Sequence, residues 1–187
     1  MDDPRFHILF VCTGNQCRSA LAEVMTRALT AELPVEVSSA GTHAVHPTPS
    51  PAESLWAATM LGYDLNAHLS RPLEDAKPEA ADLVIGFELG HVATAVVDRD
   101  ADRTKTFLLP QLVRELENLD PVASGDPVVG ARAQVAAAHD RRGSAPPMLE
   151  DQIADPMGRS PRTHEEAART IEALCRALVA GLFPGQR

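Results

Sequence analysis

The stretch His7–Ala20, HILFVCTGNQCRSA, decides how the rest of the chain is interpreted. It begins with an apolar run that stops at Cys12 and is typical of a buried strand. A short loop containing Gly14 follows, and after it apolar residues recur at helical spacing. The pattern predicts a strand, a loop and a helix, with the loop opening onto the helix N-terminus. Backbone N–H groups converge there and the helix dipole adds positive character, so the loop is a predicted anion site.

The loop carries residues suited to that role. Gly14 is expected to supply a turn position that a side chain would crowd, and Asn15 to accept a left-handed conformation while hydrogen-bonding within the loop. Cys12 lies beside a helix N-terminus and a cation, which stabilise a thiolate and predict a nucleophile. Arg18 can hold two phosphate oxygens with its planar guanidinium, and Ser19 can donate a hydrogen bond to the sulfur. Together these groups favour attack on phosphate.

The segment Val11–Glu23, VCTGNQCRSALAE, resembles the low-molecular-weight protein tyrosine phosphatases, whose loop reads CxxGNxCRS before a helix with Ala-Glu. It departs from that pattern at Gln16, where Ile or Thr is frequent, and at Ala20, where Pro is usual. The resemblance implies a phosphomonoester hydrolase that acts through a phosphocysteine intermediate, with loop N–H groups holding the substrate oxygens. The loop residues expected to contact substrate are Thr13, Gly14, Asn15, Gln16, Cys17 and Ser19.

A second motif, Ile153–Pro161 (IADPMGRSP), resembles the Asp-Pro-aromatic loop of the same family, with Met157 in place of the aromatic residue. Cleavage of a phosphate ester needs a proton for the leaving oxygen and then a base for water, and one carboxylic acid can serve both needs in turn. The resemblance assigns that role to Asp155, so the expected catalytic residues are Cys12, Arg18 and Asp155.

The resemblance assigns further residues to supporting and binding roles. A hydrogen-bond network that holds the loop is expected to consist of Asn15, Ser19, Ser39 and His68. Two pocket walls that are aromatic in tyrosine-specific members correspond to Val45 and Met157, and neither side chain can stack flat on a phenyl ring. We therefore expect a weak preference for phosphotyrosine. The resemblance also suggests that Cys17 forms a disulfide with Cys12 under oxidation, whereas Cys175 is expected in the core.

Other interpretations stay open to different degrees. Protein arginine phosphatases have Thr at the position of Gln16 and often Asp-Pro-Phe-Gly-Gly in the second motif. Both motifs of this chain resemble that subgroup somewhat more closely than the tyrosine-specific type. A small-molecule phosphatase is the other alternative. Thioredoxin-coupled arsenate reductases need two further cysteines in mid-chain, and none occurs between Cys17 and Cys175. A non-catalytic phosphate-binding module is disfavoured by the intact catalytic set.

Metal and protease chemistry are weaker interpretations of the same residues. Cys12 and Cys17 are spaced more widely than in the usual zinc motif, and there is no second cysteine pair. A dyad of Cys12 with His68 or His91 would leave Arg18 without a purpose. Neither a metal nor a cofactor is expected, because Arg18 and the loop supply the positive charge that Mg²⁺ supplies in kinases.

Composition limits the class of protein. The 187 residues fit one domain, and the net charge of −9 argues against nucleic-acid binding. No apolar run is long enough for a membrane span. The start, MDDPRF, is acidic where a signal peptide is basic, and three cysteines suit a reducing compartment. We expect a cytoplasmic protein whose partners are phosphorylated proteins or small phosphomonoesters.

Strands alternate with helices along the chain, which indicates an α/β fold with a parallel sheet. The predicted strands are Ile8–Val11, Val35–Ser39, Leu83–Phe87 and Thr104–Leu108. One predicted helix follows the loop, and a second begins at Pro51 with Ser50 as N-cap and Gly62 as C-cap. Further helices are predicted from Leu89 to Val97, from Pro110 and from near Thr163. The last has a predicted buried stripe of Ala167, Ile171, Leu174 and Leu178. The resemblance implies a small doubly wound sheet of order 2-1-3-4 with helices on both faces and the active loop at its carboxyl edge.

The interval Asp120–Glu150 does not fit this alternation. It is rich in Pro and Gly, with only ARAQVAAAH as a plausible short helix, and the family covers it in fewer residues. We interpret it as an insertion in a single phosphatase domain, partly mobile and able to fold over the active site.

Overall fold

A computed structural model describes residues 5–45, 47–122, 124–144 and 147–185. Its strands are β1 (Phe6–Cys12), β2 (Val35–Gly41), β3 (Leu83–Gly86) and β4 (Thr106–Leu108). All neighbouring strands pair in parallel, in the order β2-β1-β3-β4. The predicted α/β class and strand order are therefore confirmed.

Six helices accompany the sheet within the described ranges: α1 (Arg18–Leu29), α2 (Ala52–Met60), α3 (Leu89–Ala93), α4 (Leu109–Glu117), α5 (Pro127–Arg142) and α6 (Pro161–Leu182). None of them combines the length and apolar character that crossing a bilayer requires.

The sheet separates two buried clusters because side chains alternate between its faces. On β1, Phe6, Ile8 and Phe10 join the larger cluster, to which α1, α2, α4, α5 and α6 also contribute. Leu9 and Val11 belong to the smaller cluster on the other face, which is completed mainly by short turns. With both faces covered, the strands can be almost wholly apolar, as parallel strands usually are.

Several predicted boundaries shift in the structure. β2 extends to Gly41 because its last residues pair with the end of β1, with Cys12 opposite Gly41. β4 begins only at Thr106, because residues 103–105 form a 3₁₀ turn in which the Asp102 carboxylate accepts from the N–H of Thr104. The helix predicted from Leu89 to Val97 ends as an α-helix at Ala93 and continues as one π-helical turn. β3 stops one residue early, at Gly86.

The start predicted for α2 was wrong by one residue. Pro51 is the N-cap, since its backbone is extended and its carbonyl accepts from the N–H groups of Ser54 and Leu55. Ser50 caps nothing, and its buried hydroxyl has no partner among the described residues. Gly62, with φ +83°, follows the helix end and supplies the left-handed position expected there.

The stripe predicted for α6 was half right. Ile171 and Leu178 are buried, but Ala168 and Cys175 replace Ala167 and Leu174 between them. The helix begins at Pro161 rather than near Thr163. Cys175 lies in the core as expected.

The short helix predicted within the Asp120–Glu150 interval needs the largest correction, whereas the interpretation of the interval as an insertion stays a prediction. α5 is a sixteen-residue helix, not a short one, and it carries a buried stripe of Val128, Ala131, Val135 and Ala138. It begins at an Asp126 N-cap, whose carboxylate accepts from two backbone N–H groups. The helix packs against α4, α6 and β1, and its Arg132 pairs with Asp82 ahead of β3, far from the loop after β1. Ala123, Ala145 and Pro146 of this interval lie outside the described residues.

Candidate active site

The loop after β1, residues 12–18, joins the carboxyl end of the strand to the N-terminus of α1. Its shape depends on close packing against Gly41 at the end of β2. A Cβ at Gly41 would lie 2.7 Å from the carbonyl oxygen of Thr13 and 2.9 Å from the backbone nitrogen of Asn15. Only glycine fits there, so the segment Ser39–Thr42 (SAGT) allows the loop to close against the sheet.

Asn15 is the centre of the loop. It adopts the left-handed conformation predicted for it, with φ +53°. Its side-chain amide donates to Ser19 Oγ at 2.9 Å and Ser39 Oγ at 2.7 Å, and its Oδ1 accepts from the N–H of Arg71 at 2.8 Å. The backbone oxygen of Asn15 lies 2.7 Å from His68 Nε2. The structure therefore brings together the four residues expected to form the supporting network.

Glu23 extends this network, although the sequence interpretation gave it no role. Its carboxylate accepts a short hydrogen bond from the hydroxyl of Ser39 and lies 3.9 Å from His68 Nδ1. Glu23 follows Ser19 by four residues on α1, which places the two on the same face of the helix. The four-residue spacing from Ser19 to Glu23 within Val11–Glu23 was the sequence feature that could have predicted this role.

The sulfur of Cys12 lies within this framework. The N–H of Asn15 is 3.2 Å from Sγ and the hydroxyl of Ser19 is 3.0 Å from it. Because Ser19 Oγ already accepts from the Asn15 amide, its own proton is available to the sulfur. Cys12 is almost fully buried, so these protein groups replace solvent as donors to the sulfur.

Gly14 does not occupy the crowded turn position that was predicted for it. Its φ is not positive, and a Cβ would meet no atom nearer than Gln16 Oε1 at 3.8 Å. The left-handed position of the loop is taken by Asn15 instead. Gly14 lines the cavity in front of the sulfur, so a side chain there would occupy space in the cavity rather than clash with the protein.

Arg18 is buried and its guanidinium joins three segments. Nη1 donates to the carbonyl of Ile153 at 2.9 Å and lies 3.0 Å from a carboxylate oxygen of Glu88. Nη2 lies 2.7 Å from Asp155 Oδ2 and 3.4 Å from the hydroxyl of Thr13. Nε is buried with no partner among the described residues. The guanidinium is thus held by its outer nitrogens beside the cavity.

Asp155 reaches Arg18 from a segment 137 residues away in sequence. The chain is anchored just before it, where the N–H of Ile153 donates to the carbonyl of Phe87 at 2.8 Å. The second carboxylate oxygen of Asp155 accepts from the N–H of Met157 at 3.0 Å. Asp155 remains partly exposed, so one carboxyl group is fixed beside the cavity with access to solvent.

The site also contains Glu88, which the sequence analysis did not predict, and His91, which it considered only as a partner of Cys12 in a disfavoured protease-like dyad. Nδ1 of His91 accepts from the backbone N–H of Glu88 at 3.0 Å, so Nε2 carries the proton and donates to Thr13 Oγ1 at 3.0 Å. Burial, with a smaller contribution from Arg18, lowers the pKa of His91 to about 4. The imidazole is therefore neutral at physiological pH. Their signal was their place after β3, at the carboxyl edge of the sheet.

The cavity formed by these elements is small, about 160 Å³, and is lined by Cys12, Thr13, Gly14, Gln16, Cys17, Asp155 and Met157. Met157 is 41 % exposed, whereas Val45 is 78 % exposed and does not contribute to the lining. The volume of the cavity suits a phosphoryl group better than a whole substrate, so the rest of a substrate would lie outside the cavity. In the described part of the chain, no cluster of three or more His, Cys, Asp or Glu side chains could hold a metal ion.

Cys17 lies beside Cys12 in this lining but in a different environment. Burial raises the pKa of the Cys17 thiol to about 11, and a hydrogen bond with Ser54 lowers it in part. The Ser54 hydroxyl lies 3.0 Å from Nδ1 of the buried His164. Formation of a Cys12–Cys17 disulfide stays a prediction; because a neutral thiol attacks poorly, we expect it to form slowly at neutral pH.

Comparison with known proteins agrees with this geometry. The family model "Low molecular weight phosphotyrosine protein phosphatase" matches residues 7–141. The chain belongs to this family. It is 32 % identical over 143 residues to a low molecular weight protein-tyrosine-phosphatase of Streptomyces coelicolor, with 68 % of this chain and 80 % of the relative covered. The Escherichia coli K12 protein-tyrosine-phosphatase Etp is 36 % identical over 115 residues, which cover 61 % and 76 % of the two chains.

Arginine phosphatases occur among the similar structures. The YwlE arginine phosphatase from Geobacillus stearothermophilus superposes with a TM-score of 0.67 at 27 % identity, covering 92 % of this chain and 90 % of that one. The family is therefore shown, and it includes members named for two different phosphorylated residues. The protein described here is a hydrolase of this phosphatase family.

Proposed function

We propose that the protein hydrolyses phosphomonoesters through a phosphocysteine formed on Cys12. The observation that carries the proposal is the hydrogen-bonded sulfur of Cys12 between the loop and the Arg18–Asp155 pair. Cys12 Sγ attacks phosphorus in line, and the bond from phosphorus to the leaving oxygen breaks. Loop N–H groups and Arg18 stabilise the charge on the three equatorial oxygens. The unpartnered Nε of Arg18 is a donor that no described protein group uses.

Asp155 supplies the proton chemistry in this scheme. Its carboxyl group protonates the leaving oxygen, and the resulting carboxylate then takes a proton from water as the water attacks the phosphocysteine. The sulfur leaves as a thiolate that accepts hydrogen bonds from Ser19 and the N–H of Asn15. Because Arg18 also contacts Asp155, the phosphate and the acid are positioned by the same guanidinium.

The test of this mechanism is turnover of an aryl phosphate by the unmodified protein and Cys12→Ser. The substitution should abolish turnover, while vanadate binding measured by calorimetry stays detectable because the loop and Arg18 remain. Cys175→Ala is the matched control, since that cysteine lies in the core away from the cavity, and it should keep full activity per folded molecule. Turnover by Cys12→Ser above the background rate would refute the nucleophile.

For the substrate, we propose that phosphotyrosine is not strongly preferred and that an aliphatic phosphate, or phosphoarginine, is turned over at least as well; with phosphoarginine the P–N bond breaks and Asp155 protonates the leaving guanidino nitrogen. Within the described residues, the cavity lining contains no aromatic side chain, and aromatic stacking contributes only about 0.5–1.5 kcal/mol beyond area burial where it occurs. Met157 can pack against many shapes. The similarity to an arginine phosphatase supports the same proposal.

A substrate panel separates these choices. The kcat/KM for a phosphotyrosine peptide should not exceed the larger of the values for a phosphoarginine peptide of the same sequence and for an aliphatic phosphate. Met157→Tyr should raise the kcat/KM for phosphotyrosine relative to these values by about tenfold, the upper end of a stacking contribution. A preference for phosphotyrosine of more than about a hundredfold in the unmodified protein would contradict the proposal.

A further inference from the structure

A second cleft lies at the amino end of the sheet, opposite the phosphate loop. Arg5 and His7 at the start of β1, the residues ahead of β3 and β4, and one face of α5 line it. Its volume is about 540 Å³, which is within the range of small-molecule sites. The proposed chemistry uses none of these residues, and the cleft exists because α5 packs across the sheet end.

Five of the seven titratable side chains in the lining are basic and the other two are the carboxylates of Asp82 and Asp140, although the whole chain carries a charge of −9. Arg132 pairs with Asp82 through Nε at 2.8 Å and Nη2 at 3.3 Å, and Asp82 also accepts from the N–H of His7 at 3.0 Å. That carboxylate is therefore already occupied by groups of the chain. Lys105 and His139 also line the cleft.

A buried cation stands directly behind His139. Arg142 is 5 % exposed and donates to the carbonyls of Thr106 at 2.7 Å and Arg103 at 3.0 Å and to His139 Nδ1 at 2.8 Å. All three acceptors are neutral, and the guanidinium carbon lies 3.9 Å above the ring of Phe107. No carboxylate of the described residues forms an ion pair with it. Burial lowers the pKa of Arg142 to about 10.

This arrangement has two consequences for the cleft. Burying a charge without a counter-ion costs free energy. The positive charge of Arg142 would therefore stabilise an anion bound in front of it. Because His139 Nδ1 accepts from Arg142, the proton of the neutral imidazole is on Nε2, which is left as a hydrogen-bond donor. Lys105 adds a charged amine to the same lining.

The apolar part of the lining is formed by Ala80, Val135 and Ala136. We propose that the cleft binds a phosphorylated small molecule of nucleotide size. Its phosphate groups contact Lys105 and His139 in front of Arg142, and its less polar part lies against Val135 and the two alanines. The Lys105 amine and the buried, unpaired charge of Arg142 both favour a phosphate anion at this end of the cleft.

Lysine acylation tests the location directly, because Lys77 and Lys105 are the only lysines of the chain. ATP is the probe, and mass spectrometry measures the rate at which each lysine reacts with an amine-reactive ester. Saturating ATP should slow the labelling of Lys105 about tenfold and leave the exposed Lys77 unchanged. Equal protection of both lysines, or of neither, would overturn the proposal.

Smaller probes and one variant separate this cleft from the phosphate loop. Adenosine should not protect Lys105, and pyrophosphate should protect it less than ATP. The protection by ATP should persist in Arg18→Ala, which removes the clamp at the other end of the sheet. If Arg18→Ala abolishes protection, or if pyrophosphate acts as strongly as ATP, the proposed ligand is wrong.

Calorimetry of ATP binding provides an independent readout. Lys105→Gln should weaken the Kd about tenfold, while Lys77→Gln serves as the matched control and should leave the Kd unchanged. Circular dichroism would show that both variants fold. An unchanged Kd in folded Lys105→Gln would refute the role of that side chain and with it the proposal.

Discussion

At the scale of single residues, His91 is the buried group whose charge state matters most. Its neutral imidazole donates to Thr13 while accepting from the backbone at Glu88. A second proton would have to sit on Nδ1, facing those backbone N–H groups and near Arg18. The fold therefore favours the neutral form of His91, which links the phosphate loop to the pH of the solution.

This arrangement predicts acid destabilisation over a defined range. The pKa of His91 falls from its ordinary value of 6.5 to about 4 in the folded protein, so between these values the unfolded chain binds more protons than the folded one. The free energy of unfolding should drop as pH falls from 6.5 toward 4, with a contribution from His91 on the order of 3 kcal/mol.

Urea unfolding across that pH range measures the effect. His91→Gln removes the titrating group and should flatten the slope, whatever its effect on stability at neutral pH. His43→Gln is the control, because that imidazole is exposed, and it should retain the slope of the unmodified protein. An identical slope in His91→Gln would mean that other groups cause the acid destabilisation.

At the scale of elements, the end of β2 shapes the phosphate loop. Gly41→Ala would place a methyl group 2.7 Å from the carbonyl oxygen of Thr13, so the loop must move away from the sheet. We expect kcat/KM to fall by about a hundredfold or more, as misplacement of reacting groups by about 1 Å can cause, while the protein remains folded.

Gly90→Ala is the matched control for this change. Gly90 lies in α3 at the same edge of the sheet, and a Cβ there would meet nothing within 4 Å. Aryl phosphatase assays and circular dichroism on both variants separate loop displacement from unfolding. Full activity in Gly41→Ala would show that the loop adapts to the added methyl group.

α5 gives a second prediction at this scale. Its buried stripe and its Asp126 cap make it part of the core, so limited trypsin treatment should spare Arg132 inside the helix. The exposed Arg162 in the first turn of α6 serves as the comparison site, and its cleavage should not be slower than that at Arg132. Mass spectrometry of the first fragments measures this order. Early cleavage after Arg132 would mean that the helix opens readily.

At the scale of the whole molecule, the active site joins segments that are distant in sequence. Arg18 and Asp155 are separated by 137 residues, and the segment of Asp155 is anchored at Ile153 to the end of β3. The acid is therefore in place only when α6 and the sheet have come together. Its contribution can be tested through the leaving group.

Asp155→Asn should slow substrates with basic leaving oxygens more than activated aryl phosphates, because protonation matters most for poor leaving groups. The measurement is kcat/KM across a series of aryl phosphates with increasing phenol pKa, and the difference between variant and unmodified protein should widen along it. Asp151→Asn controls for a nearby buried carboxylate that pairs with Arg114 rather than Arg18. Equal slowing across the series would contradict the assignment of the acid.

The same distances explain what the sequence could predict. Cys12 to Ser19 form a local motif after an apolar strand, so their shared loop, and the class and order of the sheet, followed from pattern and resemblance. Asp155 could be placed only by resemblance. Glu88 and His91 follow β3, which places them at the carboxyl edge of the sheet, but their contacts with Arg18 and Thr13 arise from tertiary packing that no sequence spacing reports.

Helix α5 shows the complementary limit. Pro and Gly at its flanks suggested an irregular segment, whereas the buried positions Val128, Ala131, Val135 and Ala138 lie at helical spacing between them. Because two of these four residues are alanines, which are only weakly hydrophobic, the stripe was hard to distinguish from the neighbouring residues in the sequence. Packing against neighbouring helices, rather than strong periodicity, makes the segment a core helix.

The sheet has two ends with unequal freedom to change. Every contact described above that shapes the phosphate loop comes from the carboxyl edge, where one added methyl group at Gly41 would disturb it. At the amino edge, α5 and the turn before β4 can gain or lose side chains without touching those contacts. Substitutions at the amino edge could therefore change which ligands bind there while the phosphate chemistry stays the same, because the length of a strand separates the two edges.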